Sequence, residues 1–149
     1  MSNTHLGQPP GNHVVLESVG VASTGDPSTD LDFFRTLPDG STTPGGPAGF
    51  RVPARQVLII TDVDWQYAGS PGTSQTFRIF IKPLKDSSNP GRRVFESTIE
   101  LDGGGHGGIS EAMTAGFVVS SDVRLAVDGF PGGGQIQHVL LRGYLVPVA

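Results

Sequence analysis

Asp62 and Asp64 stand two residues apart in a run rich in Val and Ile. In an extended chain their carboxylates share one strand face about 7 Å apart, close enough to share a cation or to act as an acid and base pair. A calcium site would draw further oxygens from Asp102 or Asp128, and no Asp-x-Asp-x-Asp-Gly loop supplies a ready ligand set. A solvated strand end accounts for the pair without any ion. The four histidines, His5, His13, His106 and His138, show no metal-ligand spacing such as His-x-His or His-Glu-x-x-His. His106 stands out as the only side chain in the glycine run of residues 103–108, yet a loop so free must be ordered before it can position an imidazole. No Gly-x-Ser-x-Gly elbow is present, and GGISE at residues 107–111 lacks the strand-to-helix context that exposes an activated serine. Neither glycine run leads into Lys-Ser/Thr, so no phosphate loop is expected. These absences point to a chain that is not an enzyme, with no catalytic residue, metal set or cofactor motif.

Two other constellations concern binding. Trp65 and Tyr67, beside Asp64 and Gln66, have the composition of a platform on which a sugar ring stacks, whereas a lone Trp in a chain this size also serves as a core anchor. Glycan binding through Trp65, Tyr67 and Asp64 is therefore an alternative function. The favoured surface is a set of mixed rows. Arg78, Phe80 and Lys82 lie on one strand and His138, Leu140, Arg142 and Tyr144 on another, while Val94, Glu96, Thr98 and Glu100 offer complementary charge on a third. Exposed aromatic, Leu and Arg residues among polar ones suit a protein interface, and contact between copies would close a ring or propagate a fibre.

The elements that must position these residues are read from punctuation. The chain has 149 residues with 22 Gly and 12 Pro, nearly twice average usage, which excludes a helical bundle. Hydrophobic residues at 36% and charged residues at 16% support one modest core. The formal net charge is −4, with no basic stripe for nucleic acid and no run of apolar residues long enough to span a membrane. No Cys is present, so packing alone must stabilise the fold. The start lacks the pattern of a secretory leader, and a soluble protein is expected, with an extracellular or virion-surface setting open.

Residues 1–12 (MSNTHLGQPPGN) read as an arm outside a single domain over residues 13–149, and a free arm can add a strand to a neighbour's sheet edge. Strand-like runs follow at residues 13–21, 31–37, 50–68, 75–84, 92–102, 117–119, 122–128 and 135–148; residues 109–115 fit either a helical turn or a bulged strand. In the longest run, Val57, Ile59, Thr61, Val63, Trp65 and Tyr67 alternate with Leu58, Ile60, Asp62, Asp64 and Gln66. About eight strands at this spacing, with a long loop over residues 38–49, predict an antiparallel jelly-roll β-sandwich, with an up-and-down barrel as the other option.

The segments VPARQVLIITDVDW (residues 52–65) and VLLRGYLVPV (residues 139–148) resemble the framework of small, mostly uncharacterised bacterial jelly-roll proteins. In that pattern a Gly usually follows Pro-Ala, where this chain has Arg55. The resemblance covers about a quarter of the chain and implies fold, not chemistry. The combined expectation is a structural protein that self-assembles into a homo-oligomer, shell or fibre.

Overall fold

A computed structural model describes residues 10–18, 22–23, 29–43, 49–86, 88–131 and 133–148. Most of the proposed arm, and residues 44–48 of the early loop, lie outside the described residues. After a 3-10 turn at Pro10–Asn12, the strands are β1 (His13–Ser18), β2 (Ala22–Ser23), β3 (Thr29–Asp30), β4 (Phe33–Thr36), β5 (Gln56–Ala68), β6 (Ser74–Pro83), β7 (Arg92–Glu100), β8 (His106–Ser120), β9 (Val123–Phe130) and β10 (Gln135–Pro147). No α-helix occurs among the described residues. Apart from two-residue β2 and β3, eight strands remain, so the expected all-β sandwich holds.

The strands form two antiparallel sheets. One is ordered β4-β1-β10-β5-β8, with β2 beside β10; the other is ordered β3-β9-β6-β7. Between them lies a core that includes Val14, Leu16, Leu58, Ile60, Val63, Phe77, Ile79, Val127, Val139 and Leu141. Alternation built these strands: β6 buries Phe77 and Ile79 while Arg78 and Phe80 point out, the period of two that a half-buried strand requires.

The longest strand departs from its expected phase. In β5 the buried residues are Leu58, Ile60 and Thr61, then Val63, Trp65 and Tyr67. The pairing with β8 shifts register between Ile60 and Asp62, and the pairing with β10 shifts between Arg142 and Gly143. This β-bulge at Thr61 inverts the first half of the strand, so Val57 and Ile59 face outward with Asp62 and Asp64. Two glycines make room for it. A Cβ at Gly116, which has φ +77°, would collide with the Ile60 carbonyl oxygen, and one at Gly143 with that of Ile59.

Residues 109–115 are strand, not helix, and join 117–119 in the single strand β8. Its four residues 113–116 bulge opposite Thr61, since Ala112 pairs with Asp62 and Phe117 with Ile60. The glycine run before it is a tight turn, not a free loop. The Asp102 carboxylate accepts the backbone N–H groups of Gly104 and His106 at 2.8 and 3.0 Å. Those bonds hold the Asp102 carboxyl below its ordinary value.

Candidate functional site

Pairing register lays out the outer face of the first sheet row by row, because directly opposed residues share a face. Val146, Val57 and Ser120 form one row across β10, β5 and β8; Tyr144, Ile59 and Val118 form the next, with His13 of β1 beside Tyr144. Val118 is 52% exposed, and Val57, Ile59, Tyr144 and Val146 are half-buried. They make an apolar patch on three adjacent strands. The next rows turn polar: Arg142, Asp62 and Ala112, then Leu140, Asp64 and Ser110, then His138, Gln66 and Gly108.

The polar rows are internally partnered. Asp64 accepts a hydrogen bond from the Ser110 hydroxyl through one oxygen and pairs with Arg142 at 3.0 Å through the other. Thr61 donates its hydroxyl to Asp62 at 2.7 Å, and His138 Nε2 lies 3.2 Å from Glu17. Asp62 and Asp64 do share a face, but each has a protein partner, and no group of three or more His, Asp or Glu residues suited to a metal occurs among the described residues. Beside them a shallow open groove of about 490 Å³ runs along β5 and β8, lined by Asp64, Gln66, His106, Ser110 and Gln137 over the glycines at 107 and 108.

Trp65 and Tyr67 border this groove only with their backbone. Both are essentially unexposed, at 0% and 1%, which corrects the sugar-platform expectation. The Trp65 ring stacks on Phe77 at 4.9 Å and meets Tyr67 edge-on at 6.5 Å. Its indole N–H donates to the Ser97 hydroxyl at 3.1 Å, across the sandwich to β7. A ring packed this way anchors the core and has no free face for a ligand.

The expected interface rows are on the surface but do not form one surface. Arg78, Phe80 and Lys82 lie on β6, on the outer face of the second sheet, whereas His138, Leu140, Arg142 and Tyr144 lie on β10 of the first. The β6 cations are also engaged within the chain. Arg78 grips Asp128 with two bonds of 2.8 and 3.0 Å and lies over the Phe80 and Phe130 rings at 5.9 and 5.7 Å. Lys82, with a side chain only 11% exposed, pairs with Asp30 at 3.0 Å, as does Arg124. Of the Glu row, Glu96 pairs with Arg93 at 2.8 Å, and Val94 packs partly against the core.

The residues that sequence reasoning missed are Val57, Ile59 and Val118. The bulge that turns Val57 and Ile59 outward leaves no mark in the hydrophobic pattern, since β5 is apolar on both sides there. The glycines at 116 and 143 are the one local signal.

This layout defines a jelly-roll β-sandwich whose second-sheet outer face carries ion pairs beside Phe80 and the exposed Phe130, and whose first-sheet outer face carries an apolar patch bordered by polar rows. Three solved structures are similar to it, the first two closely enough to share the fold. An Eiger TNF from S. frugiperda is 12% identical, with 93% of this chain and 96% of that chain covered and a TM-score of 0.57. Murine APRIL is 11% identical, with 88% and 98% covered and a TM-score of 0.50. A carbohydrate-binding module of a family 9 glycoside hydrolase from Ruminococcus flavefaciens is 11% identical, with 89% and 98% covered and a TM-score of 0.46. At such identities the likeness is one of fold alone. No protein-family model and no curated protein sequence matches the chain. Among the described residues no helix is long and apolar enough to cross a membrane.

Proposed function

We propose that this is a non-enzymatic structural protein that associates with copies of itself through the outer face of the β10-centred sheet. The observation that carries this is the row Tyr144, Ile59 and Val118, flanked by Val146 and Val57. An apolar centre bordered by the Arg142–Asp64 pair, Ser110 and the His138–Glu17 pair is the layout of an association surface. A second copy fits it because the patch itself is uncharged and the Asp64 carboxylate at its border is paired with Arg142 within the chain, so identical apolar centres can meet. A shell or fibre component at an extracellular or virion surface suits such a face. Of the seven interface residues expected from sequence, Tyr144, Leu140, Arg142 and His138 belong to this surface, and Arg78, Phe80 and Lys82 serve the monomer.

The test is the solution mass of the intact chain by light scattering, with Tyr144→Lys as the variant. Assemblies of the wild-type chain that lose mass in the variant, with an unchanged melting temperature, support the reading. A wild-type monomer at tens of micromolar overturns it.

The polar groove favours one second reading, a polyhydroxylated ligand such as a glycan held by hydrogen bonds from Asp64, Gln66, Ser110 and Gln137 without ring stacking. A glycan array with no hit, or hits unaffected by Gln66→Ala, counts against it.

A further inference from the structure

The two sheets end on four edge strands of very different character. β3 has two residues and β4 has four, too short to template another strand. β7 carries Arg92, Arg93, Glu96 and Glu100, the kind of charge that guards an edge against pairing. β8 has 15 residues, no Lys, Arg or Pro, and Glu111 as its one acidic residue. Its residues 106–112 run against β5 without a register shift, and every second one turns its backbone N–H and C=O away from β5; those of His106 are already bonded to Asp102, which leaves residues 107–112 as the open edge. On this edge Ile109 is 42% exposed, although it faces the core side with Trp65. An edge with one charged residue, partly apolar and in unbroken register ahead of its bulge, favours strand addition.

We infer that β8 pairs antiparallel with β8 of a second copy across a two-fold axis at Ile109. Charge and the bulge limit the register. With Ile109 opposite itself, Ser110 faces Gly108 and Glu111 faces Gly107, so small residues interleave, and the pairing ends where the Asp102 turn closes the edge at His106. The two Glu111 carboxylates then lie about four residues, or roughly 13 Å, apart along the seam. An axis at Glu111 sets like carboxylates directly opposite, and one beyond Ala112 meets the bulge of residues 113–116. The seam joins the two β10-centred sheets edge to edge. It rests on the self-association reading and adds a contact separate from the Tyr144 patch. Five residues a side make a small interface, so the seam and the face act together.

The chain has no Cys, so a single introduced thiol reports the seam. Ile109→Cys on the axis brings two Cα atoms to about 4.5–5.5 Å, within disulfide range. Mild oxidation of the full chain is expected to give a disulfide dimer at least tenfold faster than for Ala112→Cys, whose copies lie about 20 Å apart in this register. Ile109→Lys sets like charges on the axis and is expected to halve the assembly mass without changing the melting temperature. Equal, slow oxidation of both Cys variants while the wild type remains oligomeric overturns the seam and leaves the face reading standing. Fast oxidation of Ile109→Cys that persists in Ile109→Cys/Tyr144→Lys supports the seam even where the face reading fails. A wild-type monomer that forms no disulfide in either variant overturns both.

Discussion

The two outer faces of the sandwich come from strands with similar composition and behave differently. On the β6 side the cations are locked to acids of the same chain: Arg78 to Asp128, and Lys82 and Arg124 to Asp30. On the β10 side the ion pairs sit below a patch of exposed Val118 and half-buried Tyr144, Ile59, Val57 and Val146. A mixed apolar and cationic row is therefore no guide to an interface until its charges are traced to their partners. Desolvating a charge that already has a well-placed partner gains little, whereas covering apolar surface is favourable in proportion to its area.

Both faces rest on one core, and the largest effect is expected there. Trp65→Ala removes the stack on Phe77 and the bond to Ser97, and should cost about 3–5 kcal/mol in denaturant unfolding, with assembly lost along with the fold. A loss under about 1 kcal/mol would show the two sheets to be held together elsewhere.

Asp128→Ala separates the faces. It leaves Arg78 half-buried without its carboxylate partner and should cost about 2 kcal/mol of stability while the solution mass stays unchanged. A changed mass would make the β6 side part of an interface after all. Arg55→Gly is smaller and touches neither face. Arg55 has φ 64°, in the left-handed region that costs L residues about 1 kcal/mol, so the variant should gain up to that amount in a thermal melt, again without a change in mass. The smallest effect is acid loosening of the β7–β8 turn. The Asp102 carboxyl is held below its ordinary value of 3.8 by the His106 and Gly104 N–H groups. Its contribution is therefore complete above that value and is lost as pH falls through the lower folded value. Amide exchange at Gly104 and His106 should rise below pH about 4 relative to the rest of β8, and Asp102→Asn should flatten that rise.

The strand inventory was legible because Gly and Pro punctuate it and because alternation in β6 and β7 is clean. Arg55 was not legible in the same way: its φ of 64° is in the region that glycine favours, and nothing in the alternation around it marks that. The site was less legible. Sequence placed Trp65 and Tyr67 on one face, and they are, but which face meets the core depends on sheet packing. The bulge at Thr61 shifted Val57 and Ile59 outward through contacts with strands more than fifty residues away, a non-local effect that the local pattern of β5 does not encode. The two charged rows looked alike in sequence because Asp128 and Asp30, which neutralise the β6 row, lie 50 and 52 residues from Arg78 and Lys82.

The direct test of the association face is sedimentation velocity on the wild-type chain and Tyr144→Lys at the same tens-of-micromolar concentration. Wild-type species at multiples of 15.6 kDa, with loss of the contact made through this face in the variant, are expected. A wild-type chain sedimenting as a single 15.6 kDa species, or a variant with unchanged assemblies, would contradict the assignment of this face.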